Sequence, residues 1–247
     1  MSSGGTAWRD THMEVLGAPA LDLQLVFLED WLYAGMGQEK SSKRDQQLIE
    51  TPADIERWFP EPVAGDGPWV QIIDSGPDEA IADIHRFFFT AITQARRRLW
   101  ITTPYFVPDE PILTALMTAR ARGVDLRIIV PRQGDSKLVT AAASTFADEV
   151  IEEGVEVYEF QPRMIHSKTM IIDDELAIIG TANIDNRSFR LNFEVVAAVY
   201  DRGIAAELAR QFERDLACSK RVRPEDRSGG FVPRLLANGA RLFAPLL

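Results

Sequence analysis

The chain has 247 residues, of which 46% are hydrophobic and 26% are charged. This composition is ordinary for a globular protein and argues against a collagen-like chain or a disulfide scaffold. The single cysteine, Cys218, cannot form a disulfide within the chain, and three histidines are too few for a histidine-rich metal centre. Because the formal net charge is −10, we expect no nucleic-acid partner.

The N-terminal part of the chain lacks enough elements for a domain of its own. Residues 11–16 read as a short strand, and leucines recur at helical spacing between positions 21 and 32. Residues 35–67 are polar and contain several prolines, which is typical of a linker. One strand and one helix cannot bury a core. We therefore interpret residues 1–34 as the remnant of a preceding domain.

From residue 68 onward the pattern becomes regular. Strands are predicted at WVQIID, LWITT, VDLRIIV and VEVYEF, and helices over about 78–99, from Pro111 to Gly123 and over about 137–153. Three more strands, MIHSKTMII, LAIIG and NFEVVAAVY, follow with no helix predicted between them, and a helix over 204–216 comes last. The alternation predicts an α/β fold, with a largely parallel sheet covered by helices and with chemistry at the strand ends.

Residues 219–247 differ from the rest of the chain in charge. They hold six basic and two acidic residues, so this segment is +4 and the remainder is −14. Apolar residues lie between the arginines, and such a basic amphipathic tail can lie on an anionic membrane surface. A terminal helix docked on its own domain is the alternative. No run of eighteen uncharged apolar residues occurs, so we expect peripheral membrane association without a transmembrane helix in this chain.

The most informative stretch is His166-Ser-Lys-Thr-Met-Ile-Ile-Asp173, followed by Gly180-Thr-Ala-Asn183. On a strand, His166 and Lys168 project from one face and Ser167 from the other. An imidazole beside an ammonium is poorly suited to a dry core. With the amide of Asn183, these groups suit a tetrahedral phosphate. Lys168 would supply charge, Asn183 a hydrogen bond, and His166 a nucleophile or a proton carrier, without a metal or a cofactor.

For an isolated His-x-Lys pair, polar residues facing solvent from an edge strand would be the simpler interpretation. Here the complete pattern HxKxxxxD is followed after six residues by G-[ST]-x-N, which favours a functional site. This run resembles the signature of the phospholipase D superfamily. The segments ITTPYFVPDEPI, RGVDLRIIVP and ANIDNRSFRLNFEV resemble the second half of bacterial-type cardiolipin synthases. The segment WRDTHMEVLGAPALDLQLVFLEDW resembles the end of that family's first half.

The resemblance implies a phospholipase-D-like mixed sheet flanked by helices. One complete repeat, the catalytic domain, would span residues 68–218 after the remnant of a preceding repeat. The implied catalytic residues are His166, Lys168, Asp173, Asn183 and Glu194. Asp173 would mainly hold structure, while Glu194 would orient the imidazole, since a carboxylate on Nδ1–H fixes the tautomer and leaves Nε2 free. The alternative for Glu194 is an ion pair with Arg187 or Arg190.

Three more positions are candidates for substrate contact. Thr181 stands where serine is common in the family and keeps the hydroxyl. Tyr105 and Phe106, at a predicted strand end, would wall a lipid head-group or acyl entrance, with aromatic packing under a loop as the alternative. Asp109, just before Pro111, most simply caps the helix that follows.

Members of this family carry two such motifs, whereas this sequence holds one. Neither His12 nor His85 is followed by a lysine two residues later, so His12 is interpreted as structural and His85 as a core or surface residue. The resemblance implies transfer of a phosphatidyl group from phosphatidylglycerol through a phosphohistidine to a second phosphatidylglycerol, giving cardiolipin and glycerol. The implied partners are an anionic phospholipid, the surface of the bacterial cytoplasmic membrane, and a first-half fragment that supplies the second motif.

Two other functions stay open at this point. Two copies of the chain would bring their single motifs together across a twofold axis, as a homodimeric phosphodiesterase or nuclease. The acidic body of the chain argues against nucleic acid as its substrate. The other possibility is a catalytically silent half that only folds or associates with a separate first half.

Overall fold

The computed structural model describes residues 8–36, 57–63, 65–78 and 82–223, together with positions 225, 239 and 241. Their helices are α1 (Ala18–Met36), α2 (Asp83–Gln94), α3 (Glu110–Ala121), α4 (Lys137–Glu152), α5 (Asn186–Arg190) and α6 (Arg202–Ala217). Their strands are β1 (Trp69–Ser75), β2 (Arg98–Thr102), β3 (Phe106–Val107), β4 (Asp125–Pro131), β5 (Glu156–Phe160), β6 (Thr169–Ile172), β7 (Leu176–Gly180), β8 (Ile184–Asp185), β9 (Glu194–Tyr200) and β10 (Ser219–Arg221).

Eight strands form one mixed sheet in the order β1-β9-β7-β6-β2-β4-β5-β10. The neighbours β2, β4 and β5 run parallel, and the other neighbouring pairs in this sheet run antiparallel. Strands β3 and β8 pair separately in parallel. The expected α/β class, with a mixed sheet flanked by helices, is confirmed. The prediction of a largely parallel sheet is wrong, because five of the seven neighbouring pairs in the described sheet are antiparallel and helical crossovers join only the neighbours β2, β4 and β5.

Alternate residues of the central strands face two apolar clusters, one on each side of the sheet. Leu99 and Ile101 of β2 belong to the larger cluster, which α2, α3 and α4 cover. Trp100, between them, belongs to the smaller cluster, where it stacks on Phe212 of α6 with ring centroids 4.9 Å apart. This alternation follows from the two-residue period of a strand buried on both faces.

Local sequence signals set the ends of α3 as expected. The Asp109 carboxylate accepts a hydrogen bond from the main-chain N–H of Ile112 at 3.2 Å, and Pro111 lies in the first turn. Gly123 follows the helix with φ of +88°, a conformation that glycine adopts without steric cost. The cap predicted for Asp109 is therefore confirmed.

Several boundaries differ from the sequence-based expectation. Residues 11–16 are extended but form no strand, and a single bridge joins Arg9 to Ile165 instead. The helix expected over 78–99 is shorter and covers Asp83–Gln94. The strand expected from Met164 begins only at Thr169, because residues 166–168 turn toward the bridged segment. The short elements β8 and α5 lie between β7 and β9, where no helix was expected.

Two expectations fall largely outside the described residues. Most of the linker expected at 35–67 lies outside the described residues. Most of the basic tail expected at 219–247 also lies outside them, although that tail begins with β10. None of the helices in the described part of the chain combines the length and the apolar character needed to cross a bilayer.

Gly180 lies where β7 approaches β9 most closely, so this position offers a direct test of the sheet. A Cβ on Gly180 would collide with the Val195 carbonyl oxygen and would lie 2.6 Å from the Val196 Cα. We expect Gly180→Ala to lower the free energy of unfolding by about 1–3 kcal/mol, measured by urea denaturation. Gly67→Ala is the control, since open space surrounds a Cβ at Gly67. Equal stability of the two variants would contradict the observed strand pairing.

Candidate active site

His166 lies where the N-terminal segment Trp8–Asp10 meets residues 164–168. The main-chain N–H of Arg9 donates to Met164 O at 2.9 Å, and that of His166 donates to Arg9 O at 2.7 Å. These two bonds place the Asp10 carboxylate beside the imidazole, with Oδ2 3.0 Å from Nδ1. With the proton on Nδ1, the imidazole donates to Asp10, and this assignment leaves Nε2 with a free lone pair.

The Lys168 ammonium occupies the other side of the same ring. Its Nζ lies 2.8 Å from Nε2 of His166, 2.9 Å from Nδ1 and 2.7 Å from the carbonyl oxygen of His166. Burial lowers the pKa of Lys168, and the negative charges of Asp10, Glu194 and Asp185 act in the opposite direction. The lysine is therefore a half-buried cation in contact with both ring nitrogens of His166.

The pKa of Asp10 also shifts at this contact. Burial by itself would raise it, but the hydrogen bond from His166, the main-chain N–H of Thr11 and the charge of Lys168 bring it below its usual value. Asp10 is thus held as an anion against the imidazole.

Asn183 lies in the short connection between β7 and β8. The two neighbours of Asn183 in the chain, Ala182 and Ile184, line one small cavity together with Lys168. Asn183 is 8% exposed, and its side-chain oxygen finds no hydrogen-bond partner among the described residues. The side chain of Asn183 is hydrogen-bonded to Asp185, and its unpaired oxygen is an acceptor, so only an N–H of this amide could contact an oxyanion.

The Asn183 loop is fixed from two directions. The main-chain N–H of Asn183 donates to Ser188 Oγ at 3.0 Å, and Asp185 caps α5 by accepting from the Ser188 N–H at 2.7 Å. Thr103 Oγ1 accepts from the Ile184 N–H at 3.3 Å. Burial raises the pKa of Asp185, and the charge of Glu194 acts in the same direction.

Asp173 lies at the opposite end of β6 from this site. Five residues separate it from Lys168, which is roughly 16 Å along an extended chain. Its carboxylate accepts hydrogen bonds from three consecutive main-chain N–H groups, at 3.2 Å from Arg96, 2.7 Å from Arg97 and 3.0 Å from Arg98. Its φ of +52° allows the tight turn into β7. The geometry therefore fits a structural role and not a catalytic one.

Glu194 is 8% exposed and accepts a hydrogen bond from Asn192 Nδ2 at 3.0 Å. The carboxylate on His166 Nδ1 is that of Asp10, so the orienting role expected for Glu194 falls to Asp10 in this structure. The alternative ion pair with Arg190 is not found among the described contacts, because Arg190 lies 3.5 Å from Asp109. Glu194 instead adds negative charge near Lys168.

The three residues expected to contact substrate differ from one another in their burial and hydrogen bonding. Phe106 is 1% exposed and belongs to the larger apolar cluster. It therefore packs in the core, as the alternative interpretation of aromatic packing expected. The Tyr105 hydroxyl donates to Asp135, at 2.7 Å from Oδ1, and burial together with this bond raises the pKa of Tyr105 to about 12. Thr181 is exposed, and its hydroxyl accepts from the Val195 N–H at 2.9 Å.

The other two histidines do not join the site. His12 is exposed, and His85 Nε2 lies in hydrogen-bond contact with the half-buried Asp109 carboxylate, 3.1 Å from Oδ1. Trp8 does approach the motif, with its ring centroid 4.8 Å from that of His166. The described residues contain no group of three or more side chains arranged to hold a metal ion.

Asp10 is the functional residue that sequence analysis missed. A signal for it was present, since Asp10 precedes the start of α1 by eight residues, and Glu194 precedes the start of α6 by the same number. The two carboxylates therefore occupy matching places before two extended segments that each lead into a helix. That spacing points to Asp10 as the counterpart of Glu194.

Comparison with known proteins decides the family. Residues 88–216, more than half of the chain, match the family model described as "Cardiolipin synthase, PLD-like domain". The chain belongs to this family of phospholipase D-like domains. The resemblance predicted from the HxKxxxxD run is thereby confirmed.

Among curated relatives of this phospholipase D-like chain, cardiolipin synthase A of Pseudomonas aeruginosa is 41% identical over 243 residues, which is 97% of this chain and 46% of the relative. Cardiolipin synthase of Geobacillus kaustophilus is 40% identical over 241 residues, with shares of 97% and 46%. The chain thus spans about half the length of these relatives.

Two solved structures share the fold at low sequence identity. The phospholipase D family member Nuc of Salmonella typhimurium matches with a TM-score of 0.56 and 19% identity, over 64% of this chain and 99% of Nuc. Phosphatidylserine synthase of Haemophilus influenzae matches with a TM-score of 0.61 and 13% identity, over 89% of this chain and 61% of the synthase. Both confirm the phospholipase-D-like fold.

The role of Asp173 can be separated from that of its neighbour Asp174. Asp173→Asn retains a side chain tolerated at positive φ but weakens three hydrogen bonds to a charged acceptor, so we expect a loss of about 1–3 kcal/mol in the free energy of unfolding. Asp174→Asn removes only exposed ion pairs with Arg97 and Arg98 and should cost about 1 kcal/mol or less.

The pH dependence of that difference follows from the pKa of Asp173. Burial alone would raise it, but the main-chain hydrogen bonds lower it below the unfolded value of 3.8. The stabilisation is thus fully present above that value and is lost as the pH falls through the lower folded pKa. The midpoints of urea unfolding of both variants, at neutral pH and at about pH 3, measure this loss of stabilisation. Equal midpoints of the two variants at neutral pH would show that the turn does not depend on Asp173.

Lys168 gives a second pH-dependent prediction. Because burial lowers its pKa below the usual 10.5, the ammonium loses its proton at a lower pH than an exposed lysine does. The affinity for inorganic phosphate should therefore already decline at pH values below 10.5, as measured by calorimetry. Arginine stays charged throughout this range, so Lys168→Arg should remove the decline. The same decline in that variant would assign it to another group.

Proposed function

We propose that the chain is the second half of a cardiolipin synthase-like phosphatidyltransferase. The donor and the acceptor would both be phosphatidylglycerol, and the products would be cardiolipin and glycerol. The observation that carries this proposal is the set of contacts around the His166 ring. Asp10 Oδ2 lies 3.0 Å from Nδ1, and Lys168 Nζ lies 2.8 Å from Nε2. Its support is the 41% identity to cardiolipin synthase A.

The chain's own residues divide the chemistry of a phosphodiester as follows. Asp10 holds the Nδ1–H tautomer and stabilises the positive charge that His166 acquires when Nε2 bonds to phosphorus or takes up a proton. Lys168, which contacts Nε2 when no substrate is bound, would turn to the non-bridging oxygens. The Asn183 amide would donate to the same oxygens, which concentrates donors where negative charge grows.

One imidazole is not enough for the whole transfer. In the first step the phosphorus–glycerol bond breaks as a phosphorus–nitrogen bond forms, and a general acid must give a proton to the departing glycerol oxygen. In the second step a base must remove a proton from the hydroxyl of the incoming phosphatidylglycerol, which displaces the nitrogen. A histidine that carries the phosphatidyl group cannot perform either proton transfer, so a second imidazole is required.

We infer that the second imidazole comes from a preceding repeat, of which residues 8–34 are the end. Helix α1 supports this inference because several of its large apolar side chains are about half exposed: Leu25, Phe27, Trp31 and Leu32. A helix with this much uncovered apolar surface normally packs against a partner. The match to this chain covers 46% of the length of cardiolipin synthase A, which leaves room in that relative for such a repeat.

The proposed substrate would place this chain at the surface of the bacterial cytoplasmic membrane. Phosphatidylglycerol is anionic, and the basic tail at 219–247 would be drawn to a surface rich in it.

The decisive experiment is reconstitution of cardiolipin synthesis. The chain alone, verified as a monomer, should form almost no cardiolipin from phosphatidylglycerol vesicles, because it holds one motif histidine. Addition of the first-half fragment of the Pseudomonas aeruginosa relative should restore formation. The variant His166→Ala should then reduce the rate by about 10²–10⁴-fold, whereas the exposed control His12→Gln should not change it.

Full activity of the monomer, or unchanged turnover in folded His166→Ala, would contradict the proposal. If the chain is active by itself but only as a dimer, with no gain from the fragment, the homodimeric phosphodiesterase is the better account. Absence of activity with every first half tried would favour a catalytically silent half.

A further inference from the structure

The segment that carries Asp10 is anchored by a buried ion pair distant from the reacting atoms. Arg9 Nε donates to Asp215 Oδ1 at 3.0 Å, and one of its terminal nitrogens donates to Asp215 Oδ2 at 2.8 Å. The two side chains are 13% and 9% exposed. A bidentate contact of this kind fixes the relative orientation of the two side chains as well as the distance between them.

The second terminal nitrogen of Arg9 points back toward the motif. It donates to Ser167 Oγ at 3.2 Å, to Thr11 Oγ1 at 3.1 Å and to the carbonyl oxygen of Asp10. Thr11 Oγ1 also donates to Ser167 Oγ at 3.0 Å. Ser167, the residue between His166 and Lys168, is 1% exposed. Arg9 therefore contacts both chain segments that form the Asp10–His166 pair.

Asp215 is itself held in place on α6. Gln211 Nε2 donates to Asp215 Oδ1 at 3.1 Å, and Ser219 Oγ donates to the Asp215 carbonyl oxygen at 2.7 Å. On the same helix, Phe212 stacks on Trp100 of β2, so α6 has a fixed place on the sheet. The chain of contacts runs from the sheet through α6 and Asp215 to Arg9.

We propose that the Arg9–Asp215 ion pair is a positioning device that sets the tautomer of His166. It fixes the register of residues 8–11 against residues 164–167, and this register brings the Asp10 carboxylate onto Nδ1. Neither Arg9 nor Asp215 touches the imidazole, so both act through Asp10. The inference rests on the proposed function for its catalytic meaning, but the tautomer can be measured without any activity.

The test is a nitrogen-15 NMR spectrum of the chain labelled at its histidine ring nitrogens, recorded at alkaline pH. The chain has three histidines, and His166→Gln assigns the signal of His166. Wild-type His166 should be mainly the Nδ1–H form. Asp10→Ala, as the reference, should lower the ratio of the Nδ1–H to the Nε2–H form by about tenfold. Asp215→Asn and Arg9→Lys should produce a similar decrease, since lysine keeps the charge but not the two-pronged geometry.

The matched control is Glu175→Gln, which removes an exposed ion pair between Arg202 of α6 and the turn that leads into β7. It should leave the His166 ratio unchanged, and the signals of His12 and His85 should stay fixed in all variants. If Asp215→Asn fails to fold, the milder Arg9→Lys decides. With a first-half fragment present, either variant should lower kcat and leave KM for phosphatidylglycerol unchanged.

An unchanged tautomer ratio in folded Asp215→Asn or Arg9→Lys, while Asp10→Ala shifts it, would overturn the proposal. So would an unchanged ratio in Asp10→Ala. If the ratios change as expected but wild-type chain with a first half makes no cardiolipin, the positioning role stands and the proposed function fails.

Discussion

The hydrogen bond between Asp10 and His166 Nδ1 joins two parts of the chain that are 156 residues apart in sequence. In the proposed function, it decides which ring nitrogen carries the proton, and therefore which nitrogen would bond to phosphorus. The bond exists because the N-terminal segment is bridged to Ile165 and because Arg9 is held by Asp215. The motif is thus accompanied by residues that precede α1.

Around that bond, one cation is balanced by several carboxylates. Lys168 is half-buried among the negative charges of Asp10, Glu194 and Asp185. The desolvation of an ammonium is unfavourable, and nearby negative charge offsets part of it. The lipid phosphate of the proposed reaction would add negative charge to a site already rich in carboxylates. The burial-raised pKa of Asp185 is consistent with this crowding, since a proton there reduces the repulsion.

The sequence was sufficient for the α/β class, because β2, β4 and β5 are rich in β-branched and aromatic residues and α3 carries a cap, a proline and a terminating glycine. The pairing of His166 with Lys168 followed from their spacing in the same way. It was not sufficient for β8 and α5, since two- and five-residue elements are too short for any periodicity to show. Their place depends on Thr103, Asp185 and Ser188, which are contacts across the fold.

The carboxylate that orients His166 was assigned to the wrong residue for a related reason. Glu194 lies near the motif in sequence and Asp10 does not, and only the bridge to Ile165 brings Asp10 to the imidazole. Phe106 likewise follows a strand end, as a substrate contact would, but the pairing of β3 with β8 buries it. The spacing that Asp10 shares with Glu194 is visible in the sequence, but the long-range contacts that bring Asp10 to the imidazole are not.

The most direct test of the account is a crystal structure of the chain with vanadate, which mimics a phosphate with five bonds at the central atom. The account predicts vanadium bonded to Nε2 of His166, with its oxygens contacted by Lys168 Nζ and the Asn183 amide and with Nδ1 still on Asp10. Vanadium on Nδ1, or vanadate bound away from the imidazole, would contradict it.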